Sequence, residues 1–341
     1  AALLLAAVEL PFIMRYRRIT ALLAASVLIL SGCSGFSGKR NQTYTDTLFD
    51  TVVNVRIYDA ADDSVLKGCE ELCKKYDAMF SRTAEDSEIS RINNAGGAPV
   101  EVSEETITLI EKGIYYSEMS NGAFDITIGS ISSLWDFKAE SPSIPDAAAI
   151  ADAVSHVNYK NIMIQDNTVR LLDPYAKLDV GAVAKGYIAD RLRDYLEEEG
   201  IDHAMIDLGG NIIAMGSKLD GSDYNIGIQK PFDENGTPIT SVKLSDKSIV
   251  TSGVYQRYFE QDGKIYHHIL DPATGYPCEN NLYSVTIITD SSLTADALST
   301  TCFLLGYEKG MNLINQLNNV DAVFITNDNQ IHYSKNFQHK Q

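Results

Sequence analysis

Asp296 and Thr300 stand four residues apart in TADALST, at the head of a helical pattern, so on a helix their oxygens share one face about one turn apart. Two hard oxygen ligands at that spacing suit Mg²⁺, which often completes its shell with water and substrate phosphates. An Asp in a first helical turn is also favoured by the helix dipole alone, and that plainer role stays open here. Upstream, LDVGAVAKGY (Leu178 to Tyr187) places Asp179 and two glycines at a helix start, with Lys185 in its first turns. A helix N-terminus offers free N–H groups, glycines let backbone approach a phosphate closely, and Lys185 adds a point charge. The same segment also reads as an ordinary strand-to-helix turn, and the GxxxxGK[ST] spacing of a Walker loop is absent.

HHILDPATGYP, from His267, contains a tight turn at Asp271 to Gly275, its dihedrals set by Pro and Gly. Adjacent residues at a strand end point to opposite sides, so at most one of His267 and His268 faces a cleft. A cleft His is a general acid or base; a core His bonded to the turn is the other reading. Asp207 to Asn211 (DLGGN) ends a strand in two glycines, either a bulge or a backbone against which a flat ligand lies. No GxSxG elbow appears, and Ser252 in TSGVY lacks the strand-turn-helix context that motif needs. Direct transfer assisted by a metal therefore ranks above a covalent enzyme intermediate.

The elements that must position these residues are mixed. TVVNVRIY (Thr51 to Tyr58) alternates as a strand, and Val65, Leu66, Cys69, Leu72, Cys73, Tyr76 and Met79 recur at helical spacing. Helices are expected from Ser103 to near Gly122, over Asp146 to His156, and from Gly181 to Glu199. GAFDITIGSISSLWDF between the first two mixes Gly with β-formers. The second half reads mostly as strands: AMID, NIIAMG, YNIGIQ, ITSVKLSD, SIVTSGVYQRYFE and SVTIIT, then the TADALST helix, a short helix near Glu308 to Leu317 and a hairpin across VFITNDNQIHY. Strands clustered apart from helices argue for an α+β fold rather than a doubly wound parallel sheet.

The 341 residues, 45% hydrophobic, suffice for one large core. At the N-terminus, Arg15, Arg17 and Arg18 precede the apolar run Ala21 to Leu30, which is too short to span a bilayer, and Leu30-Ser31-Gly32-Cys33 follows. This reads as a secretory signal over residues 1–32 with its true start at Met14. It resembles bacterial lipoprotein signals, which implies lipidation of Cys33, a polar tether over 33–43 and a folded body over 44–341. Losing residues 1–32 removes three Arg and one Glu and takes the formal charge from -18 to -20. Such a chain is a poor partner for nucleic acid, and any phosphate site in it must supply its own local cations. The five cysteines form no framework and no zinc-like cluster.

In this order, GAFDITIG, LDVGAVAKGY, DLGGN, HHILDPATGYP and TADALST resemble the ApbE family, the FAD:protein FMN transferases, over about Tyr44 to the C-terminus. The resemblance implies a T-fold-like α+β body with an FAD and metal cleft, on a membrane-anchored lipoprotein facing outside the cytoplasm. It implies FAD contacts at Ala123, Phe124, Asp125, Asp179 and Lys185, and through the backbone of Leu270. Phe49 stands where the family commonly has Met, and Thr83 at an aromatic family position; both count among the flavin contacts. Ala182, through its carbonyl, with Asp296 and Thr300 would ligate Mg²⁺, and His268 would act as acid, base or orienting group. The implied reaction moves the FMN half of FAD onto a Thr or Ser hydroxyl of an acceptor flavoprotein, itself expected in membrane electron transfer, and releases AMP. The alternatives are an FAD pyrophosphatase and a non-catalytic lipid-anchored flavin-binding protein.

Overall fold

The computed structural model describes residues 42–233 and 235–337. The chain begins with the hairpin β1 (Gln42–Leu48) and β2 (Thr51–Ile57), followed by α1 (Asp63–Phe80), α2 (Glu88–Asn94), the two-residue β3 (Val100–Glu101), α3 (Glu104–Met119), the single turn α4 (Gly129–Ser132) and α5 (Ala147–Ser155). Then come the hairpin β4 (Ile162–Gln165) and β5 (Thr168–Leu171), α6 (Gly181–Glu198), and the strands β6 (Ala204–Leu208), β7 (Asn211–Met215), β8 (Tyr224–Gln229), β9 (Pro238–Leu244), β10 (Lys247–Gly253), β11 (Tyr258–Gln261) and β12 (Lys264–His267). Last are β13 (Leu282–Thr289), α7 (Ser292–Ile314), β14 (Asp321–Thr326) and β15 (Ile331–Tyr333).

Eight strands form one sheet in the order β1-β2-β6-β7-β10-β13-β14-β15, and every neighbouring pair is antiparallel. Period-two alternation sorts its side chains between two cores. On one face Ile213, Val250, Val285, Ile287 and Phe324 join the main core with residues of α1, α3, α6 and α7. On the other, Ala214, Ile249, Ile288, Val323 and Ile325 pack under the β8–β9 ribbon. A third cluster, Ile131, Trp135, Ile150, Ala153, Phe259 and Leu270, joins α4 and α5 to the β11–β12 ribbon. This antiparallel architecture is the expected α+β fold.

The expected helix starts hold where capping decides them: Ser103 accepts from the Thr106 N–H, and Asp146 from the N–H groups of Ala148 and Ala149. Elsewhere the structure differs. Strand β1 begins at Gln42, two residues before the expected start of the body, and forms an edge of the sheet by pairing with β2. In GAFDITIGSISSLWDF the β-formers carry α4 instead, and a Cβ at Gly129 would sit 2.6 Å from the Leu178 carbonyl oxygen, so only Gly fits against the extended backbone of Lys177 and Leu178. The two expected helices after β13 do hold: α7 is broken at Gly306, whose φ of 76° and ψ of 172° are not helical, into a segment that carries TADALST and a shorter one after it. The expected signal segment 1–32, with its start at Met14, and Cys33 lie outside the described residues, as does nearly all of the tether. No helix among the described residues is long and apolar enough to cross a membrane.

Candidate active site

The crossing of α6 and α7 makes the centre of the site. Gly186 lies where a Cβ would be 2.6 Å from Leu293 Cα and would collide with the Ser292 carbonyl, so its bare backbone lets the first turn of α7 close onto α6. One turn further along α6, Asp190 caps α7: it accepts from the N–H groups of Ser292 (2.8 Å) and Leu293 (3.0 Å) and from the Ser291 hydroxyl (2.8 Å). This docking brings Asp296, 3% exposed, onto α6. Its Oδ2 accepts from the Gly186 N–H at 2.9 Å, and its Oδ1 lies 3.7 Å from Lys185 Nζ. In a regular helix the Gly186 N–H would serve the Ala182 carbonyl; here it also reaches a carboxylate of the neighbouring helix. Lys185 Nζ in addition donates to the Gly181 carbonyl at 3.1 Å.

Thr300 follows Asp296 by one turn, as its spacing requires, and its hydroxyl meets Ser252 of β10 at 3.0 Å. Ser252 also touches Ser299 at 2.8 Å. The donors here are all hard oxygens, and among the described residues no three of His, Cys, Asp and Glu come together. One carboxylate, a hydroxyl and a main-chain carbonyl suit Mg²⁺, which binds through one or two carboxylates and keeps water or phosphate oxygens for the rest.

Asp179 stands at the mouth of α6, where the capping position, Val180, has no side-chain acceptor. Its Oδ1 accepts from the Gly181 N–H at 3.0 Å, and its Oδ2 from the Ser132 hydroxyl at 2.7 Å, with Arg82 Nε at 3.5 Å. The neighbouring Leu178 is gripped at both its N–H and C=O by the Asn93 amide. In GAFD, Ala123 is partly exposed and Phe124 is in the core. Both Asp125 oxygens point inward, one accepting from the Thr127 N–H and hydroxyl, the other from the Tyr159 N–H. Burial pushes the Asp125 carboxyl above its ordinary value.

His267 and His268 do alternate. His267 is buried against the Phe303 ring, whereas His268 is partly exposed. Burial holds His267 down to about 4, and burial followed by the charge of Arg257 takes His268 to about 3. The His268 ring is thus closely surrounded although one side of it is open. Its Nδ1 lies 3.3 Å from the Arg257 carbonyl, which can only accept, so this contact puts the proton on Nδ1 and leaves the Nε2 lone pair available. Leu270 sits two residues on, buried in the third cluster and bridged to Pro277.

Phe49 and Asp50 form the β1–β2 turn with φ of 53° and 62°, the geometry of a type I′ hairpin. The Phe49 N–H is held by Asp77 at 2.9 Å. The Asp50 carbonyl accepts from Arg257 at 3.3 Å, and its carboxylate pairs with Lys138 at 2.7 Å. Lys138 first, then Arg257 and Arg82, hold the Asp50 carboxyl below its usual range against the opposing effect of burial. Thr83 is exposed in the loop after α1, its hydroxyl 3.3 Å from Ser81. Four cations, Arg82, Lys138, Lys185 and Arg257, therefore gather in a strongly acidic chain. Of these cations motif reading picked out Lys185 alone; it weighed Ser252 only as a nucleophile and passed over Asp190 and Arg257. A glycine inside a helical pattern, four residues before an Asp, was the one local signal for the α6–α7 contact.

An antiparallel α+β body with an Asp, a Thr and a Lys converging from two crossed helices defines a class of fold, and the comparisons identify it. The model described as "ApbE family" matches residues 49–324. The FAD:protein FMN transferase of Klebsiella pneumoniae (strain 342) is 38% identical over 298 residues, covering 86% of this chain and 92% of that protein. That of Treponema pallidum (strain Nichols) is 34% identical over 331 residues, covering 90% and 91%. Among solved structures, the ApbE protein of Thermotoga maritima superposes with a TM-score of 0.80 at 32% identity, covering 87% of this chain and 97% of that one. The flavin transferase ApbE from Vibrio cholerae gives 0.78 at 28% identity, covering 87% and 98%. The chain belongs to the ApbE family.

Proposed function

We propose that this protein is an FAD:protein FMN transferase, which moves the FMN moiety of FAD onto a Thr or Ser hydroxyl of an acceptor flavoprotein and releases AMP. The observation that carries the reading is the meeting of Asp296 and Lys185 where α7 crosses α6, with Thr300 one turn further along α7 and Asp179 at the start of α6, in an ApbE-family body. In the reaction the acceptor oxygen bonds to the phosphorus on the riboflavin side of the pyrophosphate, and the bond from that phosphorus to the bridging oxygen breaks. The bridging oxygen leaves with AMP, and the hydroxyl proton is released to a base.

Asp296, Thr300 and the Ala182 carbonyl would hold Mg²⁺, which when bound supplies positive charge to the pyrophosphate and to departing AMP. Lys185 places an ammonium beside the same carboxylate, and Arg257 adds a guanidinium near His268. His268 is neutral in the resting site, with Nε2 free to take the proton of the acceptor hydroxyl. Its low basicity comes first from burial and then from the charges of Arg257, His267 and Lys185; an incoming pyrophosphate would offset the Arg257 and Lys185 part of it. Asp179 holds the Gly181 N–H and the Ser132 hydroxyl at the start of α6, and Ala123, the Leu270 backbone, Phe49 and Thr83 would contact the flavin nucleotide. Phe124 and Asp125, whose side chains face inward, support that wall from behind.

Lipidation at Cys33 would tether the enzyme to the outer side of the cell membrane, beside membrane electron-transfer flavoproteins as acceptors. The test is incubation of protein starting at Ser34 with FAD, Mg²⁺ and a candidate acceptor domain, read by flavin fluorescence on a denaturing gel and by free AMP. A fluorescent acceptor with AMP, both lost on chelation, supports the reading. AMP with free FMN and an unlabelled acceptor would make the protein a pyrophosphatase.

A further inference from the structure

Three hydroxyls and a carbonyl stand in series between β10 and α7. Thr300 Oγ1 is 3.0 Å from Ser252 Oγ, Ser252 Oγ is 2.8 Å from Ser299 Oγ, and Ser299 Oγ is 2.9 Å from the main-chain oxygen of Asp296. Each hydroxyl owns a single proton. The carbonyl can only accept, so Ser299 gives its proton there. The contact between Ser299 and Ser252 is then donated by Ser252, which has no proton left for Thr300. Thr300 must therefore donate to Ser252, and the direction of the whole series is set by the Asp296 carbonyl. Ser299 is fully buried, so water has no access to reverse its end of the series.

A hydroxyl that ligates a cation must present a lone pair, with its proton turned elsewhere. We propose that Ser252 is a positioning residue for the cation site: by accepting the Thr300 proton it turns the Thr300 lone pairs toward the divalent cation. This rests on the reading that Asp296 and Thr300 hold that cation. Without Ser252, the Thr300 proton is free to turn toward the Asp296 carboxylate one turn away on the same helix face, and the two ligands occupy each other. Ser252 comes from β10, so the strand that pairs with β13 also aims a ligand on the helix that follows β13.

The test uses flavin-free protein and Mn²⁺ as probe, its affinity measured by titration calorimetry for wild type, Ser252→Ala, Ser252→Thr, Thr300→Ala and the Ser252→Ala/Thr300→Ala pair. Ser252→Ala is expected to weaken Mn²⁺ binding by about tenfold or more, the usual effect of losing a partner that orients a ligand. Ser252→Thr keeps the hydroxyl and restores binding, and in the Thr300→Ala background Ser252→Ala changes nothing further. Should Ser252→Ala fail to fold, Ser252→Cys, with its weak donor and acceptor, takes its place in the same comparison. Weakening by Thr300→Ala but not by Ser252→Ala would overturn the role of Ser252 alone. So would an equal effect of Ser252→Ala with and without Thr300. Wild-type Mn²⁺ affinity in Thr300→Ala would remove the cation reading itself, and this inference with it.

Discussion

Replacing His267 should flatten the acid side of the stability profile. Burial holds this ring down to about 4, and the adjacent His268 lies at about 3, against an ordinary value of 6.5. Both rings stay neutral in the native state while the unfolded chain protonates them, so stability present above pH 6.5 is lost progressively as the pH falls toward the native values. Between pH 7 and pH 5 the native rings bind almost no protons and the unfolded ones become nearly saturated. At about 1.4 kcal/mol per pH unit, this amounts to a loss of about 2 kcal/mol for each ring. Asp125 and Asp207, whose carboxyls burial raises, act the other way, because the native state takes up their protons more readily as the pH falls. Comparing His267→Leu with wild type cancels that background. Urea unfolding at pH 7 and pH 5 should show the wild type losing about 2 kcal/mol more than the variant over this interval. Equal losses would mean that His267 protonates freely in the folded protein, and would refute the burial argument that keeps its neighbour His268 neutral.

Gly186→Ala gains helix propensity worth about 1 kcal/mol but drives a Cβ into the main chain of Ser292 and Leu293, so a net loss of about 1–2 kcal/mol is expected in thermal unfolding, together with weaker divalent-cation binding. Asp190→Ala leaves the Ser291 cap of α7 but strips the Ser292 and Leu293 N–H groups of their acceptor, and should lower stability by about 2 kcal/mol in urea unfolding, with faster amide exchange over the first turn of α7. His268→Asn is expected to slow single-turnover transfer by about a hundredfold or more while FAD affinity changes little. Undiminished turnover in that variant would remove His268 from the mechanism.

Much of the fold was legible because its determinants are local. Ser103 and Asp146 start helices by capping within three residues, and the alternation of SVTIIT marks a strand whose two faces do enter two different cores. The Asp296 and Thr300 pair was legible for the same reason, since a four-residue spacing is a helical contact whatever the helix packs on. Polar β1 gave little signal: as an edge strand it alternates half-buried with exposed residues and owes its existence to pairing with β2. The turn α4 was hidden because β-forming residues carry it, and nothing local shows the tight fit of Gly129 against the Lys177–Leu178 backbone. What positions the site was least legible of all. Asp190 caps a helix more than a hundred residues later, Ser252 reaches Thr300 across 48 residues, and Arg257 meets the Asp50 turn across 207. Such contacts are created by the sheet order, which no local pattern encodes.

The most direct test follows acceptor and nucleotide together, by intact mass of the acceptor and by AMP release, for wild type and Asp296→Asn, a variant that keeps an acceptor for the Gly186 N–H. Wild type should add one FMN to the acceptor for each AMP released, with both products absent in a folded Asp296→Asn protein. An acceptor of unchanged mass beside free FMN and AMP, or full labelling by Asp296→Asn, would contradict the account.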